Sequence, residues 1–554
     1  MPFVGEIFSQ LKAAAETQVL LEIRDGQVTG VTGGEFLELI RRARTFLASK
    51  GLKKGDRCGL LAANSIRWMA LDLAAMAEGL IVVPLYFRQA PAELVAMIKD
   101  STPSLVCCGD ATLREGIQQN WAGVNQAEAP PHFLFDEIFA GIEGIELDRP
   151  QVQDADPVTI IYTSGTSGEA KGVVLTAANV GFMLGCTSER LDLLMQGRAG
   201  QDRIFHYLPF SFCASWIAVL TFLLRGSQVT LNTDLTKIAS DMPATAPHYF
   251  LNVPQLLERM RRGVDEQIAQ KGGLVLAAYS RAKAARARQK EKRALAGDGL
   301  WLWLADALVF PAIRKKMVGE NLKALICGSA PLTPETQDYF DMLGIPVLQV
   351  YGLTETTGIC TMDDPNNVAP GRVGPAIPGI EMRLGDNDEI VVRGPNVFPG
   401  YWNRPQQTAE VLRDGWFHTG DQGEMDAAGN WRIVGRIKNL IVLGSGHKIA
   451  PETVEEGLAR HLPGAHQVIV VGNGRGYLSV IVTGNVSGEQ VQAALDAVNP
   501  QLPHYKQVRA FCLRPEPFSI ENGTITANGK LKRDAISARM KSEIEEMYRV
   551  KQAV

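Results

Sequence analysis

Tyr162-Thr-Ser-Gly-Thr-Ser-Gly-Glu-Ala-Lys171-Gly-Val is the stretch of this chain that most directly predicts its fold. It follows Pro157-Val-Thr-Ile-Ile161, a β-branched run that predicts a strand, and it precedes a second apolar segment at 173–180. Glycines let a backbone turn tightly and bring amide groups close to an anion, while hydroxyl groups and an ammonium add donors and charge. The stretch therefore indicates a polyphosphate-binding loop, although a solvated Ser/Gly turn has a similar composition.

This loop does not match the nucleotide-binding pattern G-x-x-x-x-G-K-[ST], so its function needs support from the rest of the chain. The residues that we expect to contact phosphate are Thr163, Ser164, Gly165, Thr166, Ser167, Gly168 and Lys171.

Five further motifs follow the loop. In chain order they are Gly328-Ser-Ala-Pro-Leu332, Tyr351-Gly-Leu-Thr-Glu-Thr356, Trp416-Phe-His-Thr-Gly-Asp421, Gly435-Arg-Ile-Lys438 and Asn528-Gly-Lys530. Taken with the loop, they resemble the adenylate-forming superfamily of acyl-CoA synthetases, luciferases and peptide-synthetase adenylation domains, in the same order and over nearly the whole chain. The chain is most similar to the long-chain fatty acyl-CoA synthetases. The resemblance implies an enzyme that uses ATP and Mg²⁺ to convert a fatty acid to acyl-AMP and then transfers the acyl group to CoA.

The composition predicts a globular protein of at least two domains, because 554 residues exceed what one core accommodates. A net charge of -4 gives no general attraction to nucleic acid. The eight cysteines include no C-x-x-C pair, which is typical of reduced thiols in a cytosolic protein. The N-terminus has no basic region before an apolar core, and no apolar run is long enough to span a bilayer. We therefore expect a cytoplasmic protein.

Helix-like and strand-like segments alternate over residues 19–109, which predicts an α/β fold with parallel strands. Residues 110–156 are weakly patterned and are predicted to form loops. Short strands separated by turns follow after residue 365, and a new run of strands and helices begins after residue 438.

The predicted architecture is a large N-terminal α/β domain of several subdomains, one of them small and β-rich, spanning residues 1–435. A small, mobile α+β domain would follow at 436–554.

Residues 256–322 form an insertion that is rich in helix formers. A dense basic run at 281–293 precedes an apolar segment at 300–310 that carries two tryptophans, and a second basic cluster follows at 314–316. The insertion resembles the helical region of the long-chain branch, and it is the basis for predicting a long-chain substrate.

Two interpretations of this insertion stay open. A basic helix beside a tryptophan-bearing one suits peripheral contact with the inner face of a membrane through residues 281–316. A charge run is also typical of a solvated helical face with its tryptophans packed inward. Assembly as a homodimer is a further open alternative.

The resemblance assigns the remaining motifs to one nucleotide site. Glu355 and Thr166 would help to hold Mg²⁺, while Thr354 would contact the α-phosphate. Asp421 would accept the ribose hydroxyl groups, because a carboxylate is an acceptor with two oxygens, and Arg436 would add a ribose or phosphate contact. The residues expected around the adenine and elsewhere on the nucleotide are Gly328, Ser329, Ala330, Pro331, Gln349, Tyr351, Gly352 and Ile433.

Lys530 is predicted to be central to adenylation, because an ammonium can contact both the substrate carboxylate and the α-phosphate. The resemblance implies that the C-terminal domain then rotates about Lys438, which removes Lys530 and presents residues 443–451 to CoA. The residues expected to contact CoA are Gly446, His447 and Lys448. The predicted catalytic set is Lys171, Thr354, Glu355 and Lys530.

The acyl pocket departs from the family pattern. Phe212 occupies the place where long-chain synthetases usually have a histidine, and Trp216 follows where that branch often carries a charged residue. We assign both side chains to the pocket wall, with plain core packing as an equally weighted alternative.

Two other functions fit the same motifs. One is an acyl-acyl-carrier-protein synthetase or fatty acyl-AMP ligase, which shares the first step and uses another acceptor. The intact Gly444-Ser-Gly446 stretch favours a thiol acceptor. The other is a catalytically silent homologue that only binds ligand. It is opposed by the presence of Lys171, Glu355, Asp421, Arg436 and Lys530.

Overall fold

The structure is a computed structural model that describes residues 2–121, 128–141, 143–164, 170–196, 200–519, 521–526 and 530–549. It comprises two large sheets, whose strands are interleaved along the chain, together with a small antiparallel subdomain and a C-terminal unit.

The first 362 residues supply most of the two large sheets and their helices. The strands are β1 Gln18–Arg24, β2 Gln27–Thr32, β3 Arg57–Leu61, β4 Ile81–Leu85, β5 Leu105–Cys108, β6 His132–Leu134, β7 Pro157–Ser164, β8 Ala170–Thr176, β9 Arg203–His206, β10 Gln228–Asn232, β11 Tyr249–Asn252, β12 Ala324–Cys327, β13 Val347–Tyr351 and β14 Thr361–Met362. The helices are α1 Pro2–Ala13, α2 Gly33–Ser49, α3 Ile66–Ala77, α4 Pro91–Ser101, α5 Ala111–Trp121, α6 Phe135–Phe139, α7 Ala177–Leu194, α8 Cys213–Leu224, α9 Ile238–Thr245, α10 Pro254–Lys271, α11 Gly273–Lys290, α12 Asp298–Leu308, α13 Phe310–Val318 and α14 Pro334–Met342.

The remainder of the chain forms the two smaller parts. The elements that precede residue 437 are β15 Glu381–Leu384, β16 Glu389–Arg393, β17 Gly400–Tyr401, α15 Pro405–Val411, β18 Leu412–Arg413, β19 Trp416–Met425 and β20 Trp431–Arg436. Those that follow are β21 Ile441–Val442, β22 Lys448–Ile449, α16 Pro451–Ala459, β23 Ala465–Val471, β24 Leu478–Gly484, α17 Gly488–Val498, β25 Val508–Arg514, α18 Arg533–Arg539 and α19 Lys541–Arg549.

The two large sheets are mainly parallel. The seven-stranded sheet has the order β17-β8-β7-β4-β3-β5-β6, and the eight-stranded sheet has the order β14-β13-β12-β11-β9-β10-β1-β2. Antiparallel pairs occur only toward their edges, at β17-β8-β7, β1-β2 and β13-β14. Helix α3 is buried at every position except Arg67, as expected of a helix that is apolar all round and covered on both sides.

The predicted β-rich subdomain is an antiparallel sheet of β15, β16, β18, β19 and β20. In the C-terminal unit, β23 pairs with β24 in antiparallel fashion and β25 adds a parallel neighbour. Its buried apolar clusters contain only residues from Ile441 onward. The predicted fold class is confirmed, while the boundary at 435/436 stays a prediction.

The prediction of loops over residues 110–156 was wrong in part. Helices α5 and α6 and strand β6 lie there. In α5 only Ile117 is fully buried, so the helix lacks the recurrent apolar face by which a sequence signals its period. Six of the eight cysteines are buried, and all eight are free thiols.

Candidate active site

The predicted phosphate loop connects two paired strands. β7 and β8 run antiparallel, and Thr163 pairs with Lys171 at the end next to the loop. The Lys171 ammonium lies 5.1 Å from the centroid of the Tyr401 ring, at cation–π distance. Of the predicted phosphate contacts, Gly165, Thr166, Ser167 and Gly168 lie outside the described residues. The side chain of Ser164 lies outside them as well.

Glu355 lies in a short 3₁₀ turn, Thr354–Thr356, that follows β13. Its Oε1 accepts a hydrogen bond of 2.9 Å from the Tyr401 hydroxyl group. The turn depends on Gly352, because a Cβ there would collide with the carbonyl oxygen of Gly358. Thr354 and Glu355 are both half-buried at this sheet edge.

Asp421 is the centre of a second polar cluster. It is 3% exposed, accepts a 2.8 Å hydrogen bond from the Tyr351 hydroxyl group, and pairs with Arg436 Nε at 2.6 Å. Asp421 and Arg436 are direct cross-strand partners of β19 and β20. Burial raises the pKa of Asp421, while Arg436 and the Tyr351 hydrogen bond oppose that rise. Each carboxylate oxygen has two acceptor sites, so both can still accept a further donor.

Lys530 joins these carboxylates from the C-terminal unit. The residue as a whole is exposed, but loss of solvent around its ammonium and the charge of Arg436 lower its pKa, while Asp421 and Glu355 oppose that change. Burial and the neighbouring charge of Arg436 also lower the pKa of Lys438 to about 8. Electrostatic interactions therefore link Glu355, the segment 421–438 and Lys530, which are three separate stretches of the chain.

The residues predicted around the adenine are in different environments. Gly328 packs against Val350, where a Cβ would lie 2.6 Å from a methyl group, whereas Ala330 and Pro331 are exposed. Ser329 is exposed as well, and its backbone φ of +73° is one that residues other than glycine rarely adopt.

Two other predicted nucleotide contacts have structural roles. Gln349 is 4% exposed, and its amide donates to Gln337 Oε1 while its backbone N–H donates to Asp363. Its side chain thus stabilises the edge of the sheet through the hydrogen bond to Gln337. Ile433 is half-buried in an apolar cluster that also contains Tyr351.

The predicted CoA contacts lie apart from the nucleotide cluster. Gly446, His447 and Lys448 are all exposed, and Gly446 has φ of +84°. The His447 ring stacks on Tyr505 with centroids 4.2 Å apart, and Lys448 donates to Asn387 at 3.1 Å. These partners, Tyr505 and Asn387, are not residues of the nucleotide cluster.

The assignment of Trp216 to an acyl pocket needs correction. Trp216 is 1% exposed in the main apolar core, and its Nε1 donates to the buried Asp72 at 2.8 Å. Trp216 is therefore part of the core, as the alternative interpretation of plain core packing predicted. Phe212 is half-buried beside the Tyr86 ring, with centroids 5.3 Å apart, and remains a candidate for the pocket.

The site fits Mg²⁺ held together with a nucleotide. Mg²⁺ is usually bound through one or two carboxylates plus substrate phosphates. Glu355 is a half-buried carboxylate whose Oε1 is taken by Tyr401, whereas its Oε2 has no hydrogen-bond partner among the described residues. Within the same part of the chain, no group of three or more His, Cys, Asp or Glu side chains could form a metal site by itself.

Comparison with known proteins identifies the family. A family model described as "AMP-binding enzyme" matches residues 10–402, and one described as "AMP-binding enzyme C-terminal domain" matches residues 438–552. The chain belongs to the AMP-binding enzymes. The resemblance drawn from the six motifs is thereby confirmed.

Individual relatives of this AMP-binding enzyme cover most of its length. It is 28% identical to the long-chain-fatty-acid–CoA ligase FadD15 of Mycobacterium bovis, over 95% of this chain and 93% of that protein. It is 30% identical to the putative fatty-acid–CoA ligase fadD11 of Mycobacterium tuberculosis, over 76% and 79%. The structure superposes on the o-succinylbenzoate CoA synthetase of Bacillus subtilis, in complex with its acyl-adenylate intermediate, with a TM-score of 0.75, 20% identity and coverage of 96% and 97%.

A second structure of that Bacillus subtilis synthetase contains ATP and a magnesium ion. In the AMP-binding enzyme itself, none of the described helices is long and apolar enough to cross a membrane. Sequence reasoning missed one residue that contacts the predicted site, Tyr401, because neither Gly400-Tyr401-Trp402 nor its neighbours carry a pattern that signals a ligand.

Proposed function

We propose that this AMP-binding enzyme is an ATP-dependent long-chain fatty acid–CoA ligase. It converts the acid to acyl-AMP with release of pyrophosphate, and then forms the CoA thioester with release of AMP. The observation that supports the proposal most is the buried Asp421, which accepts from Tyr351 at 2.8 Å and pairs with Arg436 at 2.6 Å. The charges of Asp421 and of Glu355 also act on the Lys530 ammonium. The names of the relatives support a fatty acid as substrate.

ATP binding reduces the repulsion among the cations of the free site, Arg436, Lys438 and Lys530. Loss of solvent, followed by the charge of Arg436, lowers the pKa of both Lys438 and Lys530. A polyphosphate placed among them supplies the missing negative charge. Asp421 accepts the ribose hydroxyl groups, and Lys171 with the loop hydroxyl groups holds the outer phosphates.

In the adenylation step, one carboxylate oxygen of the acid attacks the α-phosphorus. The bond to the bridging oxygen breaks, and pyrophosphate leaves with that electron pair. Lys530 stabilises the negative charge that builds up on the α-phosphate oxygens, while Thr354 donates to the same group. Bound Mg²⁺ would spread charge over the phosphate oxygens, held by Glu355 and Thr166.

In the second step, the C-terminal unit turns about Lys438 and exchanges Lys530 for the segment that includes Gly446. The CoA sulfur attacks the acyl carbonyl carbon, AMP leaves with the electrons of the broken bond, and the thiol proton passes to solvent. A glycine lets the thin pantetheine chain approach the backbone closely. His447 and Lys448 supply a ring and a charge for the CoA phosphates.

The helical insertion supports a long acyl chain and a peripheral contact with membranes, where such acids accumulate. Its basic run is largely paired within the protein, through Lys283 with Asp265, Arg286 with Asp341, Arg288 with Asp298, Lys290 with Asp338, and Arg293 with Glu291. By contrast, Leu300, Trp303 and Leu308 are exposed along one side of α12. Membrane contact would therefore be apolar rather than electrostatic.

Liposome flotation tests that contact. Binding should persist at about 1 M salt, where exposed charges are screened within about 3 Å, and Trp303→Glu should abolish it. The matched control is Val28→Glu, which replaces an exposed apolar residue on β2. Binding that disappears in high salt, or that survives Trp303→Glu, would contradict an apolar contact.

Pyrophosphate release tests the central proposal. Purified protein is supplied with Mg·ATP and a series of acids from acetate to oleate, each with and without CoA. The expected result is release that requires a long acid and becomes continuous only with CoA, together with a thioester product. A single stoichiometric burst despite CoA would favour a carrier protein or another acceptor, and no release with any acid would favour the catalytically silent homologue.

A further inference from the structure

The side chain of Tyr401 touches both halves of the predicted phosphate site. Its hydroxyl group donates to Glu355 Oε1 at 2.9 Å, and its ring lies under the Lys171 ammonium at 5.1 Å. One of these partners is the predicted Mg²⁺ ligand and the other is the predicted phosphate-binding lysine.

The backbone fixes Tyr401 in this place. β17 pairs with β8 so that Tyr401 lies opposite Val173, two residues after Lys171. The backbone N–H of Tyr401 donates to Thr408 Oγ1 at 2.9 Å, and the Phe398 ring packs edge-on against its ring with centroids 4.9 Å apart.

The same short segment also holds the turn that carries Glu355. The backbone N–H of Phe398 donates to the carbonyl oxygen of Glu355 at 2.9 Å, and Phe398 is 2% exposed. The Glu355 backbone and side chain are thus tied to one segment, which is itself hydrogen-bonded to the strand that follows the phosphate loop.

This arrangement restricts the carboxylate. A side chain with one oxygen in a hydrogen bond to a phenol keeps one orientation, whereas a free glutamate rotates about its terminal bond. Since Tyr401 donates to Oε1, that oxygen keeps one lone pair, whereas Oε2 keeps both for a cation. The face of the Tyr401 ring also restricts the conformations of the long, flexible Lys171 side chain.

We propose that Tyr401 is a positioning residue that orients Glu355 toward the Mg²⁺ of Mg·ATP and holds Lys171 at the phosphates. The inference rests on the proposed function, because it takes ATP as the ligand of this site. Tyr401 acts through its two neighbours and takes no part in the bond changes.

The variant Tyr401→Phe removes the hydroxyl group and keeps the ring. Affinity for Mn²⁺·ATP is measured without any carboxylic acid, by following free Mn²⁺ with electron paramagnetic resonance, so that no turnover is needed. We expect affinity to fall at least about tenfold, the loss that accompanies removal of a hydrogen bond to a charged group. The Mg²⁺ concentration for half-maximal pyrophosphate release should rise in parallel, while KM for the fatty acid and thioester formation from supplied acyl-AMP stay unchanged.

Tyr279→Phe is the matched control. It removes a phenol that donates to a carboxylate, Asp265, at 2.6 Å, but it lies in the helical insertion. Its Mn²⁺·ATP affinity should equal that of the wild type. A loss of the same size in both variants would mean that general destabilisation, not positioning, causes the effect, and would overturn the proposal.

A double variant distinguishes positioning from other causes. If Tyr401 acts through Glu355, adding Tyr401→Phe to Glu355→Gln should weaken Mn²⁺·ATP binding no further. Additive losses would overturn the proposal, as would wild-type affinity in Tyr401→Phe alone. If the wild type binds Mn²⁺·ATP but releases no pyrophosphate with any acid, the proposed function fails while the comparison of variants still tests Tyr401.

Discussion

Replacing Lys530 with alanine should separate the two proposed half-reactions. The variant removes one of three cations in the cluster and leaves Arg436 and Lys438 beside Asp421. Loss of a single group that stabilises developing charge typically lowers a rate by about a hundredfold to a thousandfold, which corresponds to about 2.7–4 kcal/mol. We therefore expect adenylation to fall by about that factor. Affinity for ATP should fall far less, because the other two cations remain.

The assay measures each step separately. Pyrophosphate release reports adenylation, and thioester formation from chemically prepared acyl-AMP and CoA reports the second step, which should stay close to the wild-type rate. Lys532→Ala is the matched control, since this lysine lies two residues away and its ammonium makes no ion pair among the described residues. An equal loss of both half-reactions in Lys530→Ala, or an equal effect in Lys532→Ala, would refute the role given to Lys530.

Two further predictions follow from the buried carboxyl groups. Asp421→Asn keeps an acceptor for Tyr351 but removes the charge beside Arg436, so KM for ATP should rise by about tenfold to a hundredfold. The control variant is Asp426→Asn, in the turn between β19 and β20, which should leave KM for ATP unchanged. Asp72 is completely buried, and burial raises its pKa to about 7, so its ionisation costs free energy only in the folded state. Between pH 4 and 7 the unfolded chain releases this proton while the folded chain keeps it, so the free energy of unfolding should fall by up to about 4 kcal/mol as pH rises. Thermal unfolding of wild type and Asp72→Asn should therefore diverge from pH 4 to pH 7 in favour of the variant, and parallel curves would show that the Asp72 ionisation is not linked to folding.

The local patterns of the sequence predicted many elements of the fold. The β-branched run before the phosphate loop forms β7, and the helix and strand alternation predicted over residues 19–109 includes β3, α3, β4, α4 and β5. The short strands after residue 365 form the antiparallel subdomain. These predictions succeeded because each depends on a period or a turn signal contained within a few residues. Helix α5 escaped prediction because its burial is confined to one side chain.

The motifs also indicated most of the residues that converge at the site. Lys171 was predicted from the loop composition, and Glu355, Asp421, Arg436 and Lys530 from the family resemblance. The charges of Glu355 and Asp421 act on Lys530 in the structure. What no motif specified was how these groups hold one another. Asp421 pairs with Arg436 because β19 and β20 lie in one register, and register is a property of two strands rather than of either alone.

The tertiary structure alone decided which side chains face the site and which support it. Trp216 and Gln349 occupy motif-rich segments, yet each is buried with a partner that the sequence does not reveal, Asp72 for one and Gln337 for the other. Tyr401 lies in a segment without a ligand pattern but reaches Glu355 through the pairing of β17 with β8. The sequence by itself determined which chemical groups are available, because these are local properties of the chain. Their partners depend on long-range packing, which buries one polar group and orients another.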